Sequence, residues 1–310
     1  MMKINFMRNR KYYFTFSLIL VAVCILSLVF FGAELDIQFK GGSIVTYNHT
    51  GSVDLAQVQS AVETITGLKV NVQAGSDAVT GTENFTVSLA GSQGINPETQ
   101  MEITSKLDEL FPDSGVEAVS ISNVDATIGR EFFQKSMVAM TFAALMIIVY
   151  IGIRFRKIGG WSAGVMGVVA LLHDIMVAFT VFIVFRIPIN DNFIAVVLTI
   201  LGCSINDTIV IYDRIRENKR LASSGKSSLG EIVNLSINQS LGRSINTTLT
   251  IVLAMVVVAV MGFVYKIDTI ITFAFPMVVG MISGCYSSLC LSGPLWVMWE
   301  DWRAKKGAAR

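Results

Sequence analysis

Charged residues are scarce in this 310-residue chain: they make up 15% of it, whereas hydrophobic residues make up 53%. Soluble globular domains carry about 25% charged residues, so this deficit excludes an ordinary soluble protein and indicates a membrane protein. Basic residues are scarcer still between positions 34 and 125, where three lysines stand against thirteen acidic residues. Such a segment offers no basic surface for nucleic acid and is typical of an acidic soluble domain between membrane segments.

Cysteine is also scarce, and its placement excludes a disulfide framework. The chain has four cysteines, all in apolar runs, and the acidic segment has none. A disulfide framework or a zinc site is therefore not expected, and no metal-ligating residues are assigned. The four are interpreted as small apolar packing residues: Cys24, Cys203, Cys285 and Cys290.

Long hydrophobic runs, by contrast, are plentiful. Six of them have about the ~20 residues that a helix needs to cross a bilayer. The first follows four basic residues within positions 1–11, as in a signal peptide. It is longer than the usual apolar core and lacks an Ala-x-Ala cleavage site, so we interpret it as a retained span. The predicted spans are residues 12–32, 136–153, 161–185, 192–212, 245–265 and 269–298.

Basic residues gather on one side of these spans. They precede the first span, follow the second, occupy the polar stretch after the fourth and follow the last. The positive-inside rule therefore predicts that both termini are cytoplasmic. The predicted division is a cytoplasmic N-terminus (1–11), a first transmembrane helix (12–32), an extracytoplasmic domain (33–130), a five-helix bundle (131–298) with a cytoplasmic loop (213–243), and a cytoplasmic tail (299–310).

The predicted outer domain alternates strand and helix signals. Asp54 precedes one run with apolar residues on a helical face, and Asn96-Pro97 begins a second, which stops at Pro112. The strand signals lie at 44–47, 68–72, 85–89 and 116–124. The order βαββαβ predicts a ferredoxin-like sandwich. The expected fold class is an α-helical polytopic membrane protein with six transmembrane helices and an α+β ferredoxin-like domain between the first two.

Two ionisable residues at similar depth in neighbouring spans are the strongest functional signal. Asp207, next to Asn206, lies within the fourth span, where a carboxylate costs about 2.5–3.5 kcal/mol on insertion scales. Arg243 opens the fifth span on a polar stripe with Gln239 and Asn246. A stripe at helical spacing is expected to point into the bundle. The acid and the base are predicted to form a proton or ion relay; a structural pair or a topology-setting arginine is the alternative.

A further acid, Asp174, follows His173 near the middle of the third span. Adjacent helix residues point about 100° apart, so the two are not expected to face one partner helix. Histidine would suit a proton relay, and Asp174 is equally suited to a hydrogen bond with a neighbouring helix. Rows of small residues are expected to mark close helix contacts, one of them the joint with a partner subunit: Gly160, Gly164 and Gly167, and Gly280, Gly284 and Ser288.

Two long phrases carry a family resemblance. GCSINDTIVIYDRIREN at 202–218 and SINQSLGRSINTTLT at 236–250, together with Leu-Leu-His-Asp at 171–174, resemble the SecF family. This resemblance implies half of an RND-superfamily transporter that pairs with SecD in the cell membrane. It also implies use of the proton motive force to complete export of unfolded preproteins through SecYEG, and it matches Asp207 to the family's proton-coupling acid. We assign coupling to Asp207 and Arg243, and supporting roles to Asn206, His173, Asp174, Gln239 and Asn246.

Other functions have less support. No cofactor and no covalent catalysis are expected, because an intramembrane protease would need a Gly-x-Gly-Asp phrase or a serine nucleophile motif, and neither is present. A passive scaffold for a SecD-like partner and half of an RND-type small-molecule exporter stay open. The coupling ion can be H⁺ or Na⁺. Membrane lipids are expected to surround the spans, and no nucleic acid is expected to bind.

Overall fold

The computed structural model describes residues 4–76, 82–90, 95–112, 114–222, 228–265 and 267–308. Lys226 and Lys266, which contribute to the predicted orientation, lie outside the described residues. A helical bundle carries a small sheet domain between its first two long helices. The helices are α1 (Arg10–Phe31), α2 (Ile37–Lys40), α3 (Leu55–Thr66), α4 (Pro97–Leu110), α5 (Ala126–Arg154), α6 (Gly160–Val184), α7 (Asp191–Leu221), α8 (Leu229–Val264), α9 (Asp268–Ser287) and α10 (Gly293–Ala308); the strands are β1 (Gly42–His49), β2 (Val70–Ser76), β3 (Glu83–Ala90) and β4 (Glu117–Val124).

In the part of the chain that the structure describes, six helical segments are long and apolar enough to cross a membrane, in agreement with the predicted number of spans. The last of them is not a regular α-helix throughout, because a π-helical segment, Ser288–Ser292, joins α9 to α10. The six segments are Arg10–Phe31, Thr127–Arg154, Gly160–Val184, Asp191–Leu221, Leu229–Val264 and Thr269–Lys306.

The polar stretch 213–243, predicted as a loop, is mostly helical. α7 continues well past its apolar part, to Leu221. Arg214 and Glu217, which are one helical turn apart in this extension, form an ion pair that supports the helix. Ser228 then begins α8 as a capping box with Glu231. The predicted span ends before the helix does, because hydropathy ends a span where charge begins, whereas charged residues such as Glu, Lys and Arg are good helix formers. The cytoplasmic position of this stretch stays a prediction.

The sheet domain has the βαββαβ order. Its strands are antiparallel throughout, in the order β2-β3-β1-β4, which is the ferredoxin-like arrangement that the sequence predicts. Tyr47 of the central strand β1 pairs with Phe85 of β3, and the two buried rings stack with centroids 5.3 Å apart. α3 and α4 add Val58 and Leu107 to the same core. Asp54 caps α3 by accepting a hydrogen bond from the backbone two residues on, at 2.9 Å.

The connection between α1 and β1 touches the bundle twice. First, the N–H of Asp36 donates to the carbonyl of Ile189 at 3.0 Å, and the N–H of Ile189 donates to the carbonyl of Glu34 at 2.8 Å. Second, Phe39 of α2 is buried against α5, with its ring stacked on Phe132 at 5.6 Å. The loop before α7 and the beginning of α5 therefore hold the base of the sheet domain.

The residues before α1 are fastened to the beginning of α8. Asn238 bonds to both backbone groups of Ile4: its Oδ1 accepts from the N–H at 3.0 Å, and its Nδ2 donates to the carbonyl at 2.7 Å. Asn234 accepts from the N–H of Phe6 at 2.7 Å, and the Phe6 side chain is buried in the main core of the bundle. These contacts hold the N-terminal segment along α8.

Both rows of small residues pack inside this chain. A Cβ at Gly160 would meet the backbone of α5, and a Cβ at Gly280 would overlap the Ile200 side chain of α7. The rows therefore mark close helix contacts, as predicted. The prediction that one row forms the joint with a partner subunit is wrong, because every member of both rows is buried by this chain's own helices.

Candidate functional site

Asp207 lies on the face of α7 that packs against α8 and α9. The residue is 5% exposed. Two polar groups of α8 interact with its carboxylate. The Thr248 hydroxyl hydrogen-bonds to it, and the Arg243 guanidinium attracts it electrostatically. Cys203, one turn earlier on α7, and Cys285 of α9 lie in the electrostatic field of the same carboxylate. Asp207 is therefore an acid held in a largely apolar contact between three helices.

Arg243, in contrast, is exposed on the surface of this chain. In the described part of the chain it forms no ion pair with Asp207 within 4.0 Å. The guanidinium acts on the carboxylate by longer-range attraction instead. The structure thus brings the two predicted coupling residues to the same α7–α8 contact without joining them, and their role in coupling stays a prediction.

The polar stripe of α8 lies at the edge of the α7–α8 contact and is exposed on the surface of this chain. Gln239, Arg243 and Asn246 are all exposed, so the prediction that the stripe points into the bundle is wrong for this chain. Small hydroxyl residues occupy the buried side of α8 instead, because they allow neighbouring helices to approach closely where long polar side chains do not. The buried hydroxyl row is Ser236, Ser240, Ser244 and Thr248.

The supporting residues predicted around Asp207 are spread over this surface. Gln239 Oε1 accepts hydrogen bonds from Arg214 Nε and Asn218 Nδ2, both at 2.8 Å, and so ties the beginning of α8 to the end of α7. Asn206 and Asn246 are exposed. The Thr248 hydroxyl bonds to the Asp207 carboxylate, whereas neither of these exposed amides is among the groups that influence it.

Asp174 lies in a second polar cluster, between α6, α7 and α9. The residue is 0% exposed. Its Oδ1 accepts a hydrogen bond from Ser283 at 2.7 Å, and its Oδ2 accepts from Ser204 at 2.9 Å and Ser287 at 2.6 Å. Hydrogen bonding to neighbouring helices was one of the two expectations for this acid. The serines themselves were missed, although Ser283 and Ser287 are one turn apart in an otherwise apolar span.

His173 belongs to the same cluster. Its Nδ1 lies 3.3 Å from Asp174 Oδ1, and its ring centroid lies 6.1 Å from that of Tyr286 on α9. The prediction that His173 and Asp174 cannot both face one helix is therefore wrong. An angle of about 100° still allows two adjacent side chains to contact different sides of the same neighbouring helix.

Metal-ligating residues do not cluster in the described part of the chain, where no three histidine, cysteine, aspartate or glutamate side chains meet. Two of the ionisable groups inside the spans are buried carboxylates: Asp174 is set among hydroxyls, and Asp207 is attracted by Arg243. Groups of this kind in membrane spans mark pathways of ions and protons. Across the described residues, six apolar helices, the buried carboxylates Asp174 and Asp207, an exposed polar helix face and a ferredoxin-like domain define a multi-pass membrane transport protein.

Comparison with known proteins places the chain more narrowly: it belongs to the SecF family. Residues 103–302 match the family described as protein export membrane protein SecD/SecF, C-terminal. The translocase subunit SecF of Alicyclobacillus acidocaldarius is 32% identical over 309 residues, which cover 99% of this chain and 96% of that protein. The translocase subunit SecDF of Bacillus subtilis is 31% identical over 309 residues, which cover 99% of this chain and 40% of SecDF.

Solved structures agree with this assignment. The crystal structure of SecDF from Thermus thermophilus, a translocon-associated membrane protein, superposes with a TM-score of 0.80 at 27% identity, over 97% of this chain and 39% of SecDF. SecDF in its super-membrane-facing form gives a TM-score of 0.71 at 27% identity, over 100% of this chain and 40% of SecDF. The chain therefore spans about two fifths of the SecDF proteins and nearly the whole of SecF.

Proposed function

We propose that this chain is the SecF-type subunit of the protein-export machinery. Together with a SecD-type partner it uses the proton motive force to help preproteins complete their passage through SecYEG. The observation that carries the proposal is Asp207, a carboxylate buried where α7, α8 and α9 meet, with Arg243 close by on an exposed helix face. In the SecDF relatives the similar region fills 40% of a longer chain. A separate SecD-type subunit would supply the remaining part here.

Asp207 acts in this proposal by changing its charge. The ionised carboxylate attracts Arg243 and is unfavourable among apolar helices, whereas the protonated carboxyl has neither property. The packing of α7 against α8 therefore depends on whether the proton is bound. One charge that crosses 100 mV releases about 2.3 kcal/mol, so a few protons suffice to drive a rearrangement of helices.

α7 provides the mechanical link from this site to the sheet domain. It begins just after Ile189, whose backbone holds Glu34 and Asp36 at the base of the domain. A displacement of α7 that follows protonation of Asp207 is thus passed directly to that base. No covalent bond is made or broken, and the work is mechanical.

The orientation and the partners follow from charge. The basic termini lie in the cytoplasm and the sheet domain lies on the far side of the cell membrane, as the positive-inside rule requires. The acidic excess of the domain, thirteen acids against three bases, suits transient contact with basic segments of an unfolded preprotein that emerges from SecYEG.

The test is export of a reporter preprotein into vesicles with an imposed pH gradient, with and without an uncoupler. Asp207→Asn keeps the volume and hydrogen-bonding capacity of the side chain but cannot bind and release a proton. We expect it to insert and assemble normally and to lose proton-dependent export. The matched control is Asp213→Asn on the same helix, where the carboxylate is 48% exposed and pairs with Arg216.

Wild-type export by the Asp207→Asn vesicles, still sensitive to the uncoupler, would contradict the proposal. That outcome would support the passive scaffold, in which the partner subunit holds the working carboxylate. Export of a small molecule by wild-type vesicles in the absence of preprotein would instead favour half of an RND-type exporter.

A further inference from the structure

The carboxyl group of Asp174 is fully buried, and among the described residues no lysine or arginine lies at ion-pair distance from it. Among the described residues, the basic group at ion-pair distance is His173, whose Nδ1 lies 3.3 Å from Asp174 Oδ1. Three serine hydroxyls donate to the carboxylate, but hydroxyls are neutral. An isolated charge inside a membrane span is strongly unfavourable. A proton or a bound cation must therefore neutralise the cluster.

His173 contacts the carboxyl group through one ring nitrogen, since its Nδ1 lies 3.3 Å from Asp174 Oδ1. The residue is 6% exposed, and its Nε2 is buried with no hydrogen-bond partner within the described protein. The other polar contacts of the carboxyl group come from the serine hydroxyls.

The groups around Asp174 are oxygen ligands, which hard cations prefer. The serines can also turn. Ser204 and Ser287 have a second acceptor, the carbonyl of Gly284, at 3.4 Å and 3.2 Å. When their protons point to that carbonyl, their lone pairs are free to face a cation beside the carboxylate. Ser283 can donate to the preceding helical turn in the same way.

Helix geometry gives an independent indication. The π-helical segment Ser288–Ser292 interrupts the last span near its middle, directly after Ser287. Interrupted helices at this depth form the ion sites of many transporters, because they free backbone and side-chain oxygens. The available space is small, since a Cβ at Gly284 would lie 3.0 Å from Ser204 Oγ and 3.7 Å from Asp174 Oδ2. A small ion is favoured.

We propose that Asp174, Ser204, Ser283 and Ser287 bind one sodium ion at a site separate from Asp207. One carboxylate balances one monovalent charge, whereas a divalent ion would leave excess positive charge in the same buried place. The proposal concerns binding within this chain and does not rest on the proton-coupling role of Asp207.

The test is equilibrium binding of radioactive sodium to the purified full-length protein in detergent, with choline chloride to hold the ionic strength constant. We expect saturable binding of one ion per chain, with lithium a better competitor than potassium. Asp174→Asn should abolish binding, and Ser287→Ala, which keeps the carboxylate, should weaken it by about ten- to a hundredfold. Asp213→Asn is the matched control and should bind sodium as the wild type does.

Two further variants make the result unambiguous. Gly284→Ala should weaken sodium binding because it narrows the site while every ligand stays in place. Asp207→Asn should bind sodium normally even where it fails in export, which separates this proposal from the proposed function. Absence of saturable binding to the folded wild type, or equal binding to Asp174→Asn, would overturn the sodium site. So would an infrared band of a protonated carboxylic acid that sodium does not change and that disappears in Asp174→Asn.

Discussion

Arg243 and Asp207 attract one another across the α7–α8 contact, yet only the acid is buried. The fold of this chain therefore does not depend on the arginine, whereas the proposed coupling does. We expect Arg243→Gln to change the free energy of unfolding in detergent by no more than about 0.5 kcal/mol, the usual range for surface substitutions. The same variant should lose proton-dependent export of the reporter preprotein. Arg243→Lys, which keeps the charge, is the control and should retain part of the activity; normal export by the glutamine variant would contradict the prediction.

Asp36, at the base of the sheet domain, is a carboxylate outside the spans with an altered pKa. Burial raises its pKa above the ordinary value of 3.8; the hydrogen bond from the Gln38 N–H lowers it, and the nearby charge of Asp191 raises it further. Because the pKa of Asp36 is higher in the folded state, this carboxyl binds more protons in the folded than in the unfolded state at any pH between the unfolded pKa and the folded pKa. The stability that this group contributes is thus complete below the unfolded pKa and is lost as the pH rises through the folded pKa.

The Asp36→Asn variant keeps the side-chain oxygen that caps α2, but its amide cannot bind or release a proton. Its free energy of unfolding should therefore increase relative to that of the wild type as the pH rises from about 4 to about 7. Chemical unfolding in detergent at a series of pH values measures the difference. Asp54→Asn, at the exposed cap of α3, is the control and should show no such gain. Parallel curves for wild type and Asp36→Asn would show that burial of this carboxylate has no effect on stability.

At the scale of helices and strands, local periodicity was sufficient for most of the architecture. Long apolar runs predicted six spans, and alternation with turn residues predicted the βαββαβ order. The same logic failed for α8, because its polar stripe and its buried hydroxyl row both recur at helical spacing: the stripe at 239, 243 and 246, and the hydroxyl row at 236, 240, 244 and 248. Which of the two rows is buried depends on which side of α8 packs against α7 and α9. A single sequence does not show which residues of different helices are in contact. The serines around Asp174 were missed for the same reason, since they come from two different helices.

The N-terminal segment and α8 form an element-scale contact that can be tested directly. Asn238 makes two hydrogen bonds to the backbone of Ile4, and each such bond contributes about 0.5–1.5 kcal/mol. We expect Asn238→Ala to release the segment, so that trypsin cuts after Arg8 roughly ten times faster, the factor that corresponds to 1.4 kcal/mol. Mass spectrometry of timed digests measures the rate. Asn246→Ala, at an exposed site of the same helix, should leave cleavage unchanged, and equal rates for both variants would rule out the contact.

At the scale of the whole molecule, the sheet domain has its own hydrophobic core, separate from that of the bundle. Residues 34–130 expressed alone should therefore fold as a monomer with well-dispersed amide resonances. The segment that contains Phe39 should be unprotected, because its packing surface on α5 is absent. Phe85→Ala should abolish the dispersion, since it removes about 3–5 kcal/mol from a small domain whose total stability is on the order of 5 kcal/mol. A featureless spectrum of the wild-type domain would contradict the separate core.

The face of α8 that carries Arg243 continues from 239 to 257 along the helix. Exposed residues at 239, 243, 246, 250, 253 and 257 recur at alternating spacings of four and three, which is the seam of a packed helix pair. A guanidinium and two amides on that seam would be unfavourable against lipid, so a second protein is expected to cover it. Mild-detergent purification should recover a second polytopic subunit, and a homodimer with full activity would contradict this.

Cross-linking locates that contact. In a variant with all four native cysteines replaced, Leu253→Cys should form cross-links to the partner subunit, because Leu253 is 57% exposed on the seam. Val29→Cys is the matched control: Val29 is 74% exposed on α1, which lies away from the seam, and it should give no cross-link. Addition of Arg243→Gln should weaken the Leu253 cross-link if the guanidinium pairs with an acid of the partner. Cross-links of equal yield from both cysteines would show that the seam faces lipid, and the polar stripe of α8 would then need another explanation.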